Sequence, residues 1–187
     1  MAARLRARGH DGEITLVGSE PVAPYQRPPL SKAYMAHGDA DALTLKPAAF
    51  YDRSAITLRH GARAARIDRD ARQVEMADGS RHGYDHLILA TGARNFRPPI
   101  PGLEAAGVHE LRTLADAARI RQALAQARHA IVIGGGAGDL FELLELLGGD
   151  LAIVQLKLLQ VHLVHLVLAR GRSSHVIVTR LPRKKVY

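Results

Sequence analysis

The 187-residue chain contains no cysteine and no tryptophan, and aromatic residues make up only 4% of it. The lack of cysteine excludes a disulfide scaffold, a thiolate metal site, a cysteine nucleophile and a redox dithiol carried by this chain. Ten histidines offer the other common metal ligand. His162 and His165 stand close together at i,i+3, but no carboxylate lies near enough to them in sequence to complete a set, so no metal site is expected. Uninterrupted apolar runs of membrane-spanning length are also missing. Residues 151–168 are apolar but broken by Gln155, Lys157, Gln160, His162 and His165, which fits a buried helix, a strand pair or non-native coding sequence better than a membrane span. The basic stretch Met1-Ala2-Ala3-Arg4-Leu5-Arg6-Ala7-Arg8 leads into Gly9 instead of an apolar core, so it does not read as a secretory signal, and a cytoplasmic location is expected.

What is present describes a soluble globular chain: 47% hydrophobic and 24% charged residues. The formal net charge of +8 raises the question of a nucleic-acid or anionic-membrane partner. Seven of the 26 Lys and Arg lie in residues 151–187, with no acid among them, so residues 1–150 carry 19 against 18 Asp and Glu and are nearly neutral. The charge therefore marks a break near residue 150. The run Arg180 to Lys185 reads as a solvated face, and neither nucleic acid nor membrane is expected as a partner.

The order of elements is that of an α/β fold. Residues 2–8 favour a helix that Gly9 and Asp11-Gly12 end, and Glu13-Ile14-Thr15-Leu16-Val17 follows as a short buried strand. Residues 18–31 form a loop stiffened by Pro21, Pro24, Pro28 and Pro29. Residues 62–67 and 72–76, with a turn at Ala77-Asp78-Gly79-Ser80 and a further strand, predict an antiparallel meander. Tyr84-Asp85-His86-Leu87-Ile88-Leu89-Ala90 reads as a strand buried on both faces. Residues 113–127 predict a helix capped by Thr113, and Ala130-Ile131-Val132-Ile133 predicts a buried strand entering Gly134-Gly135-Gly136.

A strand entering a glycine cluster brings backbone N–H groups close to a pyrophosphate at a helix N-terminus. Here the spacing G-x-G-x-x-G is incomplete, with Asp139 at the third position and Gly138 one residue early, so the cluster alone fits a nucleotide turn or a plain strand-to-helix turn equally. Taken together, Leu16-Val17-Gly18-Ser19-Glu20-Pro21, Pro24-Tyr25-Gln26-Arg27-Pro28-Pro29-Leu30-Ser31-Lys32, residues 84–93, Pro101-Gly102, Leu111-Arg112-Thr113-Leu114 and residues 131–136 are more specific. This order resembles the ferredoxin reductases of the putidaredoxin- and rhodocoxin-reductase type over roughly residues 2–136. Its sharpest element is Arg27-Pro28-Pro29-Leu30-Ser31-Lys32, a loop that stands where related disulfide reductases carry a redox cysteine pair.

The resemblance implies a flavoprotein with FAD and NAD(P)H as cofactors and a ferredoxin-type [2Fe-2S] protein as electron partner. It implies an incomplete FAD-binding Rossmann-like domain of three-layer ββα type with an antiparallel meander in residues 1–115. The start of an NAD(P)-binding Rossmann-like domain would occupy residues 116–150, and a divergent basic tail residues 151–187. The first FAD phosphate turn and most of the second domain have no counterpart, so a fragment of the family's chain is expected. By position, Lys32 is expected near the isoalloxazine ring, Arg112 on the flavin, Ala64 at the adenine side through its backbone, and Thr91 and Gly92 close to FAD. Glu20, as a carboxylate, is expected to accept from ribose hydroxyls, with Gly134 and Gly136 at the second nucleotide. Arg27 reads equally as a phosphate contact or a loop-solvating charge. Two other classes of function stand beside this one: a noncatalytic, partly folded remnant, and a binder of nucleic acid or membrane surfaces through the basic tail.

Overall fold

The computed structural model describes residues 1–95, 97, 99 and 101–127, together with the backbone of four strands at 129–133, 151–154, 163–170 and 173–180. These residues fall into two units. The first comprises residues 1–25 and 44–91, the second residues 26–43 and 92–187.

In the first unit, α1 (Ala2–Ala7) precedes β1 (Ile14–Val17), which pairs in parallel with β2 (Ile56–Arg59) after α3 (Ala48–Arg53). Ile14 stands opposite Ile56 and Leu16 opposite Leu58, and Ile14, Tyr51 and Ile56 form the buried centre, with Leu5 and Phe50 packed against it. One side chain ties the helices together: the Arg6 guanidinium donates to the carbonyls of His10, Gly12, Ser54 and Ala55 at 2.7–2.8 Å. A planar cation with five donors suits this task, which a lysine could not perform. The strand expected at 13–17 is therefore present, but only Ile14 is buried and Val17 is exposed.

The expected meander forms from β3 (Ala64–Asp68), β4 (Gln73–Met76) and β5 (Arg81–Gly83), with a bulge between Ala64 and Arg66. Its turns are held by carboxylates. Asp68 accepts from the N–H groups of Asp70 and Ala71, and Asp78 from the hydroxyl and N–H of Ser80. Residues 84–90 do not form the expected strand. Leu87, Ile88 and Leu89 are 37%, 56% and 64% exposed, and none of the described strands pairs with them. A strand buried on both faces takes its stability from hydrogen-bonded neighbours and covering layers, so an apolar sequence without them does not form one.

The second unit begins with a 3₁₀ turn (Pro28–Ser31) and α2 (Ala33–His37), and continues through β6 (His109–Leu111) into α4 (Leu114–Leu124). The expected cap at Thr113 is present and is reciprocal: Thr113 Oγ1 accepts from the Asp116 N–H, and the Asp116 carboxylate accepts from the Thr113 N–H. The core of this unit includes Leu30, Tyr34, Met35, Ala117 and Ile120. Helix α4 leads into β7 (His129–Ile133), the strand expected before the glycine cluster. Residues 151–187, expected as a divergent basic tail, carry β8 (Leu151–Val154), β9 (Leu163–Arg170) and β10 (Ser173–Arg180). The sheet order is β6-β10-β9-β7-β8, parallel at its two outer pairings and antiparallel within. The β9–β10 pairing is local in sequence, which lets it form without a crossover. Among the described residues, no helix is long and apolar enough to cross a membrane.

Replacing Thr113 with alanine should lower stability by about 1 kcal/mol in chemical denaturation, with serine retaining most of it. Acid should loosen the meander selectively. The Asp68 carboxyl is held below its usual range first by the Ala71 N–H, and that of Asp78 first by the Ser80 hydroxyl. Folded pKa values below the unfolded ones lend stability at pH above about 4, which is lost as pH falls through the folded values. Hydrogen exchange in β3–β5 should therefore accelerate on acidification, and Asp78→Asn should flatten that dependence.

Candidate functional site

The residues singled out in the sequence divide between the two units. In the first, the loop after β1 is laced to the loop after β2, with Gly18 N–H donating to the Arg59 carbonyl, Gly61 N–H to that of Glu20 and Ala62 N–H to that of Gly18. Glu20 is half-buried, and its carboxylate accepts from the Tyr25 hydroxyl at 2.6 Å. Ala64 is exposed at the start of β3, opposite Met76 and beside the bulge. Thr91 is exposed at the end of this unit.

In the second unit, Arg27, Gly92 and Arg112 come together. Arg112 stands between β6 and α4, so the capping of α4 fixes its backbone: its N–H donates to Asp116 at 3.2 Å. Its carbonyl accepts from Arg27 Nη1 at 2.5 Å. Its guanidinium lies over Gly92, where a β-carbon would stand 2.8 Å from Nη2. Gly92 has φ +69°, a conformation that also favours glycine. The close approach thus has two causes at one residue. The Arg112 guanidinium has no acceptor among the described residues, and neither does Lys32 Nζ. Lys32 is half-buried at the N-cap of α2, where the 3₁₀ turn ends. Gly134 and Gly136 lie outside the described residues.

A cavity of about 510 Å³ opens beside Arg112, with Arg94, Asn95, Arg97, Glu110 and Arg119 among its lining residues. Its carboxylates are already engaged. Glu110 accepts from Arg97 Nε and from Asn95 Nδ2, and Asp116 accepts from Arg119 as well as from the backbone. The Glu110 hydrogen bond, followed by that of Glu104, pushes the Arg97 guanidinium further up and holds it charged. Arg112 therefore presents positive charge and N–H donors where the neighbouring acids are occupied. Sequence inspection missed Arg97, Glu110 and Asp116. For Asp116 the signal was available in Thr113-x-x-Asp116, a capping-box spacing with aspartate in place of glutamate.

The family model for pyridine nucleotide-disulphide oxidoreductases matches residues 1–173. The chain belongs to this family. Among its relatives, rhodocoxin reductase from Rhodococcus erythropolis is 52% identical over 137 residues, which are 72% of this chain and 32% of that protein. The ferredoxin reductase for the CYP199A2 system from Rhodopseudomonas palustris superposes with a TM-score of 0.75 at 37% identity, covering 81% of this chain and 38% of that one. The reductase in the covalent putidaredoxin reductase–putidaredoxin complex gives a TM-score of 0.70 at 39% identity, with the same coverage. The family member described here thus spans about a third of the length of the relatives it matches. Its kinship lies with the ferredoxin reductases, as the order of motifs implied.

Gly92→Ala should cost roughly 1–2 kcal/mol through its left-handed backbone and dislodge the Arg112 guanidinium. Denaturation curves, together with the Nε–H resonance of Arg112, report the two effects separately. An unmoved resonance in a stable variant would show that Arg112 does not rest on Gly92.

Proposed function

We propose that the chain is part of a flavoprotein that moves electrons from NAD(P)H to a ferredoxin-type [2Fe-2S] protein. When bound, FAD supplies two-electron uptake and one-electron release, a chemistry that side chains lack. This chain's residues contribute donors, charge and shape. The observation that carries the reading is the Arg112 guanidinium, laid over Gly92 with no acceptor among the described residues and backed at its carbonyl by Arg27. FAD presents acceptors along its pyrophosphate and ring carbonyls, and a fixed guanidinium with open donors suits them.

Lys32 adds a second cation without an acceptor among the described residues. We assign Arg112, Lys32 and Gly92 to the flavin, with Arg27 bracing Arg112 and Thr91 completing the turn into Gly92. In the first unit we assign Glu20 to ribose hydroxyls and the Ala64 backbone to the adenine side. Residues 116–150 are read as the start of the NAD(P) domain, with Gly134 and Gly136 as its phosphate turn. Kinship with ferredoxin reductases, one of them solved in a covalent complex with putidaredoxin, supports reading the acceptor as a [2Fe-2S] protein.

Titrating the 187-residue chain with FAD and following flavin fluorescence tests the reading. Arg112→Met and Lys32→Met should each weaken binding by roughly tenfold or more, the loss of a charge-assisted contact of about 1.5–3 kcal/mol. Affinity unchanged in both variants would remove these residues from the flavin site.

A further inference from the structure

We infer that Arg121 is a positioning residue for Lys32, acting through the whole length of α2; its consequence at the cofactor rests on the flavin reading above. Helix α2 has five residues, too few to hold together by its own hydrogen bonds. Its two ends carry different tasks. At the start stands Lys32, with non-helical φ −124° and ψ −113°, its N–H donating to the Pro29 carbonyl and its own carbonyl accepting from Ala36. The direction of the lysine stem is therefore set by how the 3₁₀ turn and α2 meet. Among the described residues nothing accepts from Nζ, so no bond at the tip corrects an error at the base.

At the other end, where carbonyls lack partners within the helix, Arg121 reaches in from α4. Its Nη1 donates to the carbonyl of Tyr34 at 3.0 Å and to that of Met35. Its guanidinium carbon stands 5.8 Å from the centre of the Tyr34 ring. Gly38 makes the space. It takes φ +72°, returns its N–H to Tyr34 at 2.8 Å, and a β-carbon there would lie 2.7 Å from Arg121 Nη2. A cation at a helix C-terminus also suits the helix dipole. Arg121 is in turn anchored by its own helix, where Ala117 and Ile120 are 0% and 1% exposed. The path runs from the α4 core through one guanidinium to the end of α2, and from there to Lys32.

The test uses the intact chain with Arg121→Met, which keeps most of the stem and removes the donors, and Arg121→Lys, which keeps the charge but not the fork. Without flavin, an amine-reactive reagent is applied and the labelling of Lys32 is compared with that of Lys46, which lies over the Phe50 ring in the first unit. Arg121→Met should change the Lys32:Lys46 ratio by about threefold or more, and Arg121→Lys by less. An unchanged ratio overturns the inference.

With FAD, Arg121→Met should weaken binding by about tenfold when Lys32 is present and by under about twofold in a Lys32→Met background. Equal losses in both backgrounds would assign Arg121 to general stability and likewise overturn it. If the unsubstituted chain takes no FAD, the flavin reading fails and the labelling ratio alone decides the positioning of Lys32. Should Arg121→Met not fold, Gly38→Ala enters the same comparisons, because it strikes the guanidinium from the other side.

Discussion

The reciprocal bond between Thr113 and Asp116 is the constraint from which the second unit's site is built. It starts α4 immediately after β6, with only Arg112 and Thr113 between them. Arg112 therefore has no freedom to drift along the chain: its N–H is taken by the same carboxylate that closes the cap, and its carbonyl is taken by Arg27. With both backbone groups committed, only the side chain can vary. Gly92 then restricts that as well, since a guanidinium can settle over a residue without a β-carbon. A local capping preference worth about 1 kcal/mol thus acquires a role beyond helix stability.

The same helix governs the other cation through a different kind of contact. Arg112 is held at the N-terminal end of α4, whereas Arg121 leaves it one turn before its C-terminal end to reach the last turn of α2. The two arginines differ in what they face. Arg121 spends its donors on carbonyls and an aromatic ring, so its charge is absorbed by the protein. Arg112 keeps its donors open among the described residues, while Arg97 and Arg119 are matched by Glu104, Glu110 and Asp116. Around this cavity the acids Glu110 and Asp116 are engaged by Arg97 and Arg119, which leaves the Arg112 charge uncompensated by them.

Features determined by neighbours in sequence were legible without coordinates. The stop of α1, the Asp78-Gly79 turn, the meander around it and the Thr113 cap all depend on residues within a few positions of one another. Tyr84 to Ala90 was misread because its composition reports a preference for burial, whereas a strand there depends on partners the pattern does not contain. Residues 151–168 were left open between a buried helix, a strand pair and non-native coding sequence for the opposite reason: the alternation in β9 is blurred by successive apolar residues, although its pairing with β10 is local. Lys32 and Arg112 were singled out only through the order of motifs across the chain. Arg121 had no such route, because a helical arginine looks like a solvated one until the carbonyls of another helix are placed against it.

The exposed run Leu87-Ile88-Leu89 bears on how the chain behaves in bulk. Its branched side chains face solvent, and its backbone groups have no partner among the described residues. Such a stretch can pair with a copy of itself as readily as with anything else, and it carries no charge or proline to prevent this. A charged residue in place of Ile88 would therefore interrupt the one exposed apolar run of this loop while leaving both buried cores as they are.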